Sequence, residues 1–161
     1  VIGQRKTDDE KWMLLAIEEA EAAASHGEVP IGAVAVLDGE LIARNHNRSV
    51  QDNDPTAHAE MLVLREAGRL LGNYRLPGID LYVTIEPCLM CTGAIIWARI
   101  GRLVFGARDA KAGAVFSKSQ GNLAGVFNHA VPVVEGILEE RCREVIREFF
   151  ARRRTQTGMP T

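Results

Sequence analysis

At 161 residues, 47% hydrophobic and 25% charged, the chain fits one compact domain, 1–161, long enough to bury a full core. No apolar run approaches the length needed to span a bilayer, and Val1 to Glu10 lacks the apolar core of a secretory signal, so no membrane partner and a cytoplasmic location are expected. The net charge of −2 conceals an asymmetry: residues 1–98 carry −7, residues 99–140 carry +1 and residues 141–161 carry +4, so the total does not announce nucleic acid but the C-terminal end can meet phosphate.

Thr7 or Asp8 stands where a first helix would be capped; Trp12, Ala16, Ile17, Ala20 and Ala23/Ala24 recur at helical spacing, and Gly27 can take the left-handed cap. His26 reads as a helix-end cation or an exposed residue. Ile31 to Leu37 is an almost unbroken apolar strand, suited to a sheet covered on both faces. Asp38-Gly39 gives the strongest hairpin signal in the chain, and Leu41 to Asn45 returns as the antiparallel partner. A polar loop from Asn45 to Thr56 leads into a helix with the apolar stripe Val63, Leu64, Ala67 and Leu71, closed by Gly72-Asn73. Asp80 to Ile85 is a third strand, Glu86-Pro87 turns out of it, and a helix runs from Cys88 to about Ile100. Arg102 to Phe105 is a fourth short strand, and the alternation of strands with helices predicts parallel neighbours. Gly106 to Asn128 is irregular and long for a loop, hence functional or mobile. Ala130 to Val134 is a short edge strand, consistent with Pro132. Leu138, Cys142, Val145, Ile146, Phe149 and Phe150 mark a final amphipathic helix, with Cys142 as packing. Arg152, Arg153 and Arg154 at its end are either solvated partners of the helix dipole or phosphate contacts.

Chemistry concentrates in His58-Ala59-Glu60 and Pro87-Cys88-Leu89-Met90-Cys91. One imidazole and two thiolates suit Zn²⁺, and three protein ligands leave a fourth position open for water, which separates a catalytic zinc from a closed structural one. Cys88 and Cys91, at i and i+3, share one helix face near its positive end, where thiolates are favoured. His58 and Glu60 would lie about 200° apart on a regular helix. They converge only where His58 precedes the helix, and Asp54-Pro55-Thr56 supplies that lead-in with two candidate caps. Glu60 sits on the buried stripe, an expensive place for a carboxylate unless something offsets its desolvation, which makes it the candidate general acid/base. Alone, the cysteine pair is ambiguous between a redox motif, half a zinc finger and chance. Together and in this order, with Pro87 before the first cysteine, the two halves match the known pattern of zinc nucleobase deaminases.

On these residues the chain resembles a bacterial-type tRNA adenosine deaminase of the cytidine deaminase superfamily, from about Asp9 to Arg154. The similarity runs through Glu28-Val29-Pro30-Ile31-Gly32-Ala33, Asn53 to Glu60, Glu86 to Cys91 and Arg102 to Asp109. The last stretch, continued by Ala110-Lys111-Ala112-Gly113-Ala114, is what points to the tRNA branch. The resemblance implies an α/β fold, a three-layer α/β/α sandwich around a five-stranded mixed sheet, usually homodimeric, with one Zn²⁺ per chain and no nucleotide cofactor. It implies a hydrolysis in which water displaces the exocyclic amine of adenosine to give inosine, at the wobble position of a tRNA anticodon stem-loop. His58, Cys88 and Cys91 would hold the metal, Glu60 would move the protons, Asn47 would hydrogen-bond the base, and Val29, Pro30, Ala59 and Pro87 would lie against it. From the residues alone, Asn47 reads first as a turn-stabilising side chain. Asp109 would accept from a ribose 2′-hydroxyl, while Arg108, Lys111 and Phe149 would contact backbone or bases. A base must leave its stack to enter a zinc pocket, which favours a splayed RNA loop over a duplex.

The chain departs from the family pattern in Val115 to Leu123 and in Asn128 to Pro132, where more basic character is expected near Ala130. Two rival readings remain. One is a deaminase of a free guanine- or cytosine-type base or nucleoside; the other is a non-catalytic RNA-binding subunit with a structural zinc, which has no use for Glu60.

Overall fold

The computed structural model describes residues 2–118 and 129–158. In chain order the elements are α1 (Ile2–Ser25), β1 (Gly32–Leu37), β2 (Glu40–His46), α2 (Ala59–Leu71), β3 (Ile79–Ile85), α3 (Leu89–Ala98), β4 (Arg102–Ala107), β5 (Val133–Glu135) and α4 (Glu139–Thr157). The strands form one five-stranded mixed sheet in the order β2-β1-β3-β4-β5. Residues 119–128 of the long loop, which include much of the stretch that departs from the family pattern, lie outside the described residues.

The β1–β2 hairpin turns on Asp38 (φ 51°) and Gly39 (φ 77°), the pair of left-handed residues whose twist matches that of the flanking strands. β3, β4 and β5 are mutually parallel, as the strand–helix alternation predicts, but β1 and β3 are antiparallel. The hairpin causes this difference. Because β2 reverses the chain before α2 crosses the sheet, the crossover returns parallel to β2 and lands one strand further on, with β1 between them.

Alternation along β1 sorts the layers. Ala33 and Ala35 pack with Val63, Leu64, Ala67, Leu81, Val83, Ile95, Leu103 and Phe105, placing α2 and α3 on one face. Val34 and Val36 pack with Trp12, Met13, Ala16, Tyr82, Val104 and Cys142, placing α1 and α4 on the other. Both faces of the sheet are therefore dry, which is why β1 and β3 read as continuous apolar runs.

β5 spans Val133–Glu135 where the sequence predicts a strand over Ala130 to Val134, and three further details stand out. α1 begins at Ile2 and not at Thr7 or Asp8: the Thr7 hydroxyl donates to the Gly3 carbonyl (3.0 Å) within the helix, so it caps nothing. Leu71 and Phe150 are 40% and 41% exposed, each lying just past the edge of its helix's buried stripe. Asp9, unremarked in the sequence, is buried and accepts the Tyr82 hydroxyl (2.7 Å) and both terminal nitrogens of Arg102 (3.0 and 2.8 Å), tying α1 to β3 and β4.

Candidate active site

His58 and Cys88 occupy equivalent places, each an extended residue immediately before a helix: His58 (φ −77°, ψ 152°) before α2 and Cys88 (φ −73°, ψ 176°) before α3. The His58 placement is the irregular one that its spacing from Glu60 demands. Asp54 and Thr56 do not cap α2; Asp54 Oδ1 accepts the Thr56 N–H (2.8 Å) and hydroxyl (2.7 Å), closing the turn ahead of it. Since β2 and β3 run in the same direction, both helices start from one end of the sheet, and Cys91 joins from the first turn of α3.

The three donor atoms all lie within 4.8 Å of one another. His58 Nδ1 is 3.6 Å from Cys88 Sγ and 3.5 Å from Cys91 Sγ. Tetrahedral zinc with ordinary Zn–N and Zn–S bonds requires an edge of about 3.6 Å, so the residues fit the ion without rearrangement. Hydrogen bonds from Cys91 and His58 pull the Cys88 thiol down to about 4. The same pairing, with burial, pushes the Cys91 thiol up. Metal ligation requires both sulfurs as thiolates, so metal affinity depends on pH.

Glu60 is 3% exposed, on the first turn of α2 beside these donors. Burial pushes its carboxyl up to about 7, against the opposing pull of His58. Among the described residues its Oε2 is buried with no hydrogen-bond partner, an arrangement that costs free energy in a folded protein and is concentrated at functional sites.

Around this core, Asn47 is buried, its Oδ1 accepting the Ala59 N–H at 2.9 Å. This bond spans 12 residues and holds the start of α2 where the sequence suggested a local turn, and it leaves the Nδ2 end without a protein partner among the described residues. Pro30, Ala59 and Pro87 are buried, while Val29 is 37% exposed. Glu28 was not singled out by the sequence; it is buried and accepts the N–H groups of Val50 (3.2 Å) and Gln51 (2.7 Å), tying the loop after β2 to the Val29-Pro30 segment.

The residues expected to meet RNA are more engaged than their sequence suggests. Arg108 makes a bidentate pair with Glu135 (2.7 and 2.8 Å), and its guanidinium lies 5.0 Å from the Phe116 ring centroid. Asp109 Oδ1 accepts the N–H groups of Lys111 (2.9 Å) and Ala112 (3.2 Å), forming a turn. Lys111 is exposed. Phe149 is buried, edge-on to Phe150, with the Arg153 guanidinium 5.5 Å from its ring. Arg152 is 3.6 Å from Glu148, so two of the three terminal arginines already have partners within α4.

An α/β/α sandwich with an imidazole and two sulfurs converging at the start of two helices, and a buried carboxylate beside them, defines a zinc-dependent hydrolytic deaminase. The family model for the cytidine and deoxycytidylate deaminase zinc-binding region matches residues 6–107. A tRNA-specific adenosine deaminase of Agrobacterium fabrum is 51% identical, over 89% of this chain and 94% of its own length. A solved structure from work on A-to-I editing by tRNA:A34 deaminases at the wobble position superposes with a TM-score of 0.81 at 51% identity, covering 84% of this chain and 98% of the other. Guanine deaminase from Nitrosomonas europaea is more distant: TM-score 0.76, 28% identity, over 88% of this chain and 84% of the other. The chain belongs to the tRNA-specific adenosine deaminase family.

Proposed function

We propose that this single-domain chain, 1–161, hydrolyses adenosine to inosine at the wobble position of a tRNA anticodon stem-loop. His58, Cys88 and Cys91 hold one Zn²⁺, which when bound acts as a Lewis acid that makes water nucleophilic at neutral pH. Glu60 takes one proton from the attacking water and delivers it to the ring nitrogen next to the reacting carbon as the C–O bond forms, then takes the second proton from the new hydroxyl and passes it to the exocyclic amine as the C–N bond breaks and the carbonyl forms, so that water is consumed and ammonia leaves. Asn47 donates from Nδ2 to the base while its oxygen stays on Ala59; Val29, Pro30 and Pro87 wall the pocket. The observation that carries this reading is the Glu60 Oε2 atom, buried and without a hydrogen-bond partner among the described residues, beside three metal donors.

A homodimer is part of the proposal. α3 presents Leu89 (63% exposed) and Trp97 (75% exposed) along one side, with open space at Gly93 between them, an apolar row suited to a second copy. A tRNA substrate also agrees with a cytoplasmic location, and no described helix is long and apolar enough to cross a membrane.

The test is zinc-replete protein with an adenosine-bearing anticodon stem-loop. Inosine should form with the native protein and not with Glu60→Ala, which should keep its zinc. The likeness to guanine deaminase supplies the rival outcome: turnover of free guanine at a rate matching or exceeding that of the stem-loop would transfer the assignment to free bases.

A further inference from the structure

Glu86 is a buried carboxylate that the proton chemistry does not use. It is 3% exposed, directly after β3 and two residues before Cys88. Its Oε1 accepts the N–H groups of Phe116 (2.7 Å) and Ser117 (2.8 Å), and its Oε2 accepts the Asp109 N–H (3.0 Å) and the Ser117 hydroxyl. Gly113 packs on the carboxylate itself, where a Cβ would fall against Glu86 Oε2 and 2.6 Å from the Asp109 carbonyl. Gly113 also bridges to Cys88, and the Pro87 carbonyl accepts the Ala114 N–H at 2.9 Å. Residues 109–117 are thus wrapped around a charge that belongs to the metal-binding turn.

We propose that Glu86 is a positioning residue that holds the segment carrying Arg108, Asp109 and Lys111 as a rim of the base pocket, in fixed register with Cys88 and Cys91. This rests on the RNA deaminase reading above. Only a carboxylate presents two oxygens that both accept and neither donate, matching four converging donors. A glutamine would turn an NH₂ group against N–H donors and release part of the segment. The nucleic acid would then meet a displaced rim, while the metal ligands, anchored separately by their helix starts, would stay in place.

The test is steady-state kinetics on an adenosine-bearing stem-loop, with zinc content and amide hydrogen exchange measured on the same native, Glu86→Gln and Ser117→Ala proteins. Glu86→Gln should keep one zinc per chain, raise KM about tenfold or more with kcat changed less than about threefold, and speed exchange at Asp109, Phe116 and Ser117 by about a hundredfold. Ser117→Ala, which removes a single bond, should do the same on a smaller scale and covers the case in which Glu86→Gln does not fold. Loss of zinc, or a fall confined to kcat, would place Glu86 in the metal centre and overturn the proposal. Faster exchange with an unchanged KM would overturn it too, by showing that the segment bears no substrate. Native protein that deaminates no RNA would instead reject the function on which the proposal rests, whatever the exchange shows.

Discussion

The side-chain oxygen of Asn47 and the backbone N–H of Ala59 meet at 2.9 Å, so the last residue of the hairpin's exit holds the first residue of the helix that carries Glu60. One amide therefore serves structure with its oxygen and is free to serve substrate with its nitrogen. Asn47→Asp keeps the acceptor and loses the donor; it should melt close to the native protein yet raise KM for the stem-loop about tenfold. Asn47→Ala loses both and should in addition cost about 1–3 kcal/mol of stability, because the Ala59 N–H is left buried and unpaired. Equal melting temperatures for the two variants would refute the division of labour.

The catalytic role proposed for Glu60 predicts that the residue trades stability for chemistry. With Oε2 buried and unpaired, and burial pushing the carboxyl up to about 7, the side chain is a burden on the folded state. Glu60→Gln should unfold at the same or a higher denaturant concentration than the native protein, bind zinc stoichiometrically, and form inosine about 10²–10⁴ times more slowly. A clear loss of stability would mean that the carboxylate is structural.

The acid limb of the stability profile should report on Glu86. Burial alone would raise its carboxyl, but the Ser117 hydroxyl and the N–H groups of Phe116, Ser117 and Asp109 outweigh it and hold the group below the usual range. A folded-state value below the unfolded one contributes stability above the unfolded value of about 4.3, and that contribution is lost as pH falls through the folded value. Native protein should therefore be more stable than Glu86→Gln at pH 7 in urea titrations, and the gap should narrow as pH falls below the unfolded value.

Gly32 is where α1 touches the sheet. A Cβ there would fall 2.6 Å from Ala20 N and 2.8 Å from the Glu19 Cβ, closer still to the Ala16 carbonyl, and backbone cannot step aside as a side-chain tip can. Gly32→Ala should cost about 3 kcal/mol, read as a lowered urea midpoint, with α1 lifted from β1.

Thiol titration should resolve the three cysteines. Burial pushes Cys142 up to about 12, and its sulfur sits in the core between α4 and the sheet. Zinc-loaded protein should react at none of its thiols at pH 8, chelator-treated protein at up to two, and unfolded protein at all three. A Cys142 that reacts in the folded state would contradict its packing role.

What could be read from the sequence was local. The hairpin at Asp38-Gly39, the unbroken burial of β1, the Gly72 cap of α2 and the sulfur pair at Cys88 and Cys91 all depend on neighbours a few residues apart. The metal site was legible for a further reason: its two halves are each short, and chemistry restricts which residue types can complete it. Glu28 and Glu86 were not legible as anchors, because their partners lie 22 to 31 residues away and are backbone N–H groups, which any sequence supplies. Asp9 was hidden similarly, its guanidinium partner being 93 residues distant. The late start placed on α1 came from weighing Thr7 as a cap, when a threonine inside a helix can simply return its hydroxyl to the carbonyl four residues back.

The antiparallel pairing of β1 with β3, Ala33 opposite Val83, sets the order of assembly. The hairpin closes on local contacts and forms early, but it brings no sulfur near His58. Only when the returning crossover docks its strand beside β1 do residues 58 and 88 become neighbours, so the ion can be captured no sooner than this slow, non-local closure. Loading with zinc is accordingly a record that β3 has docked beside β1.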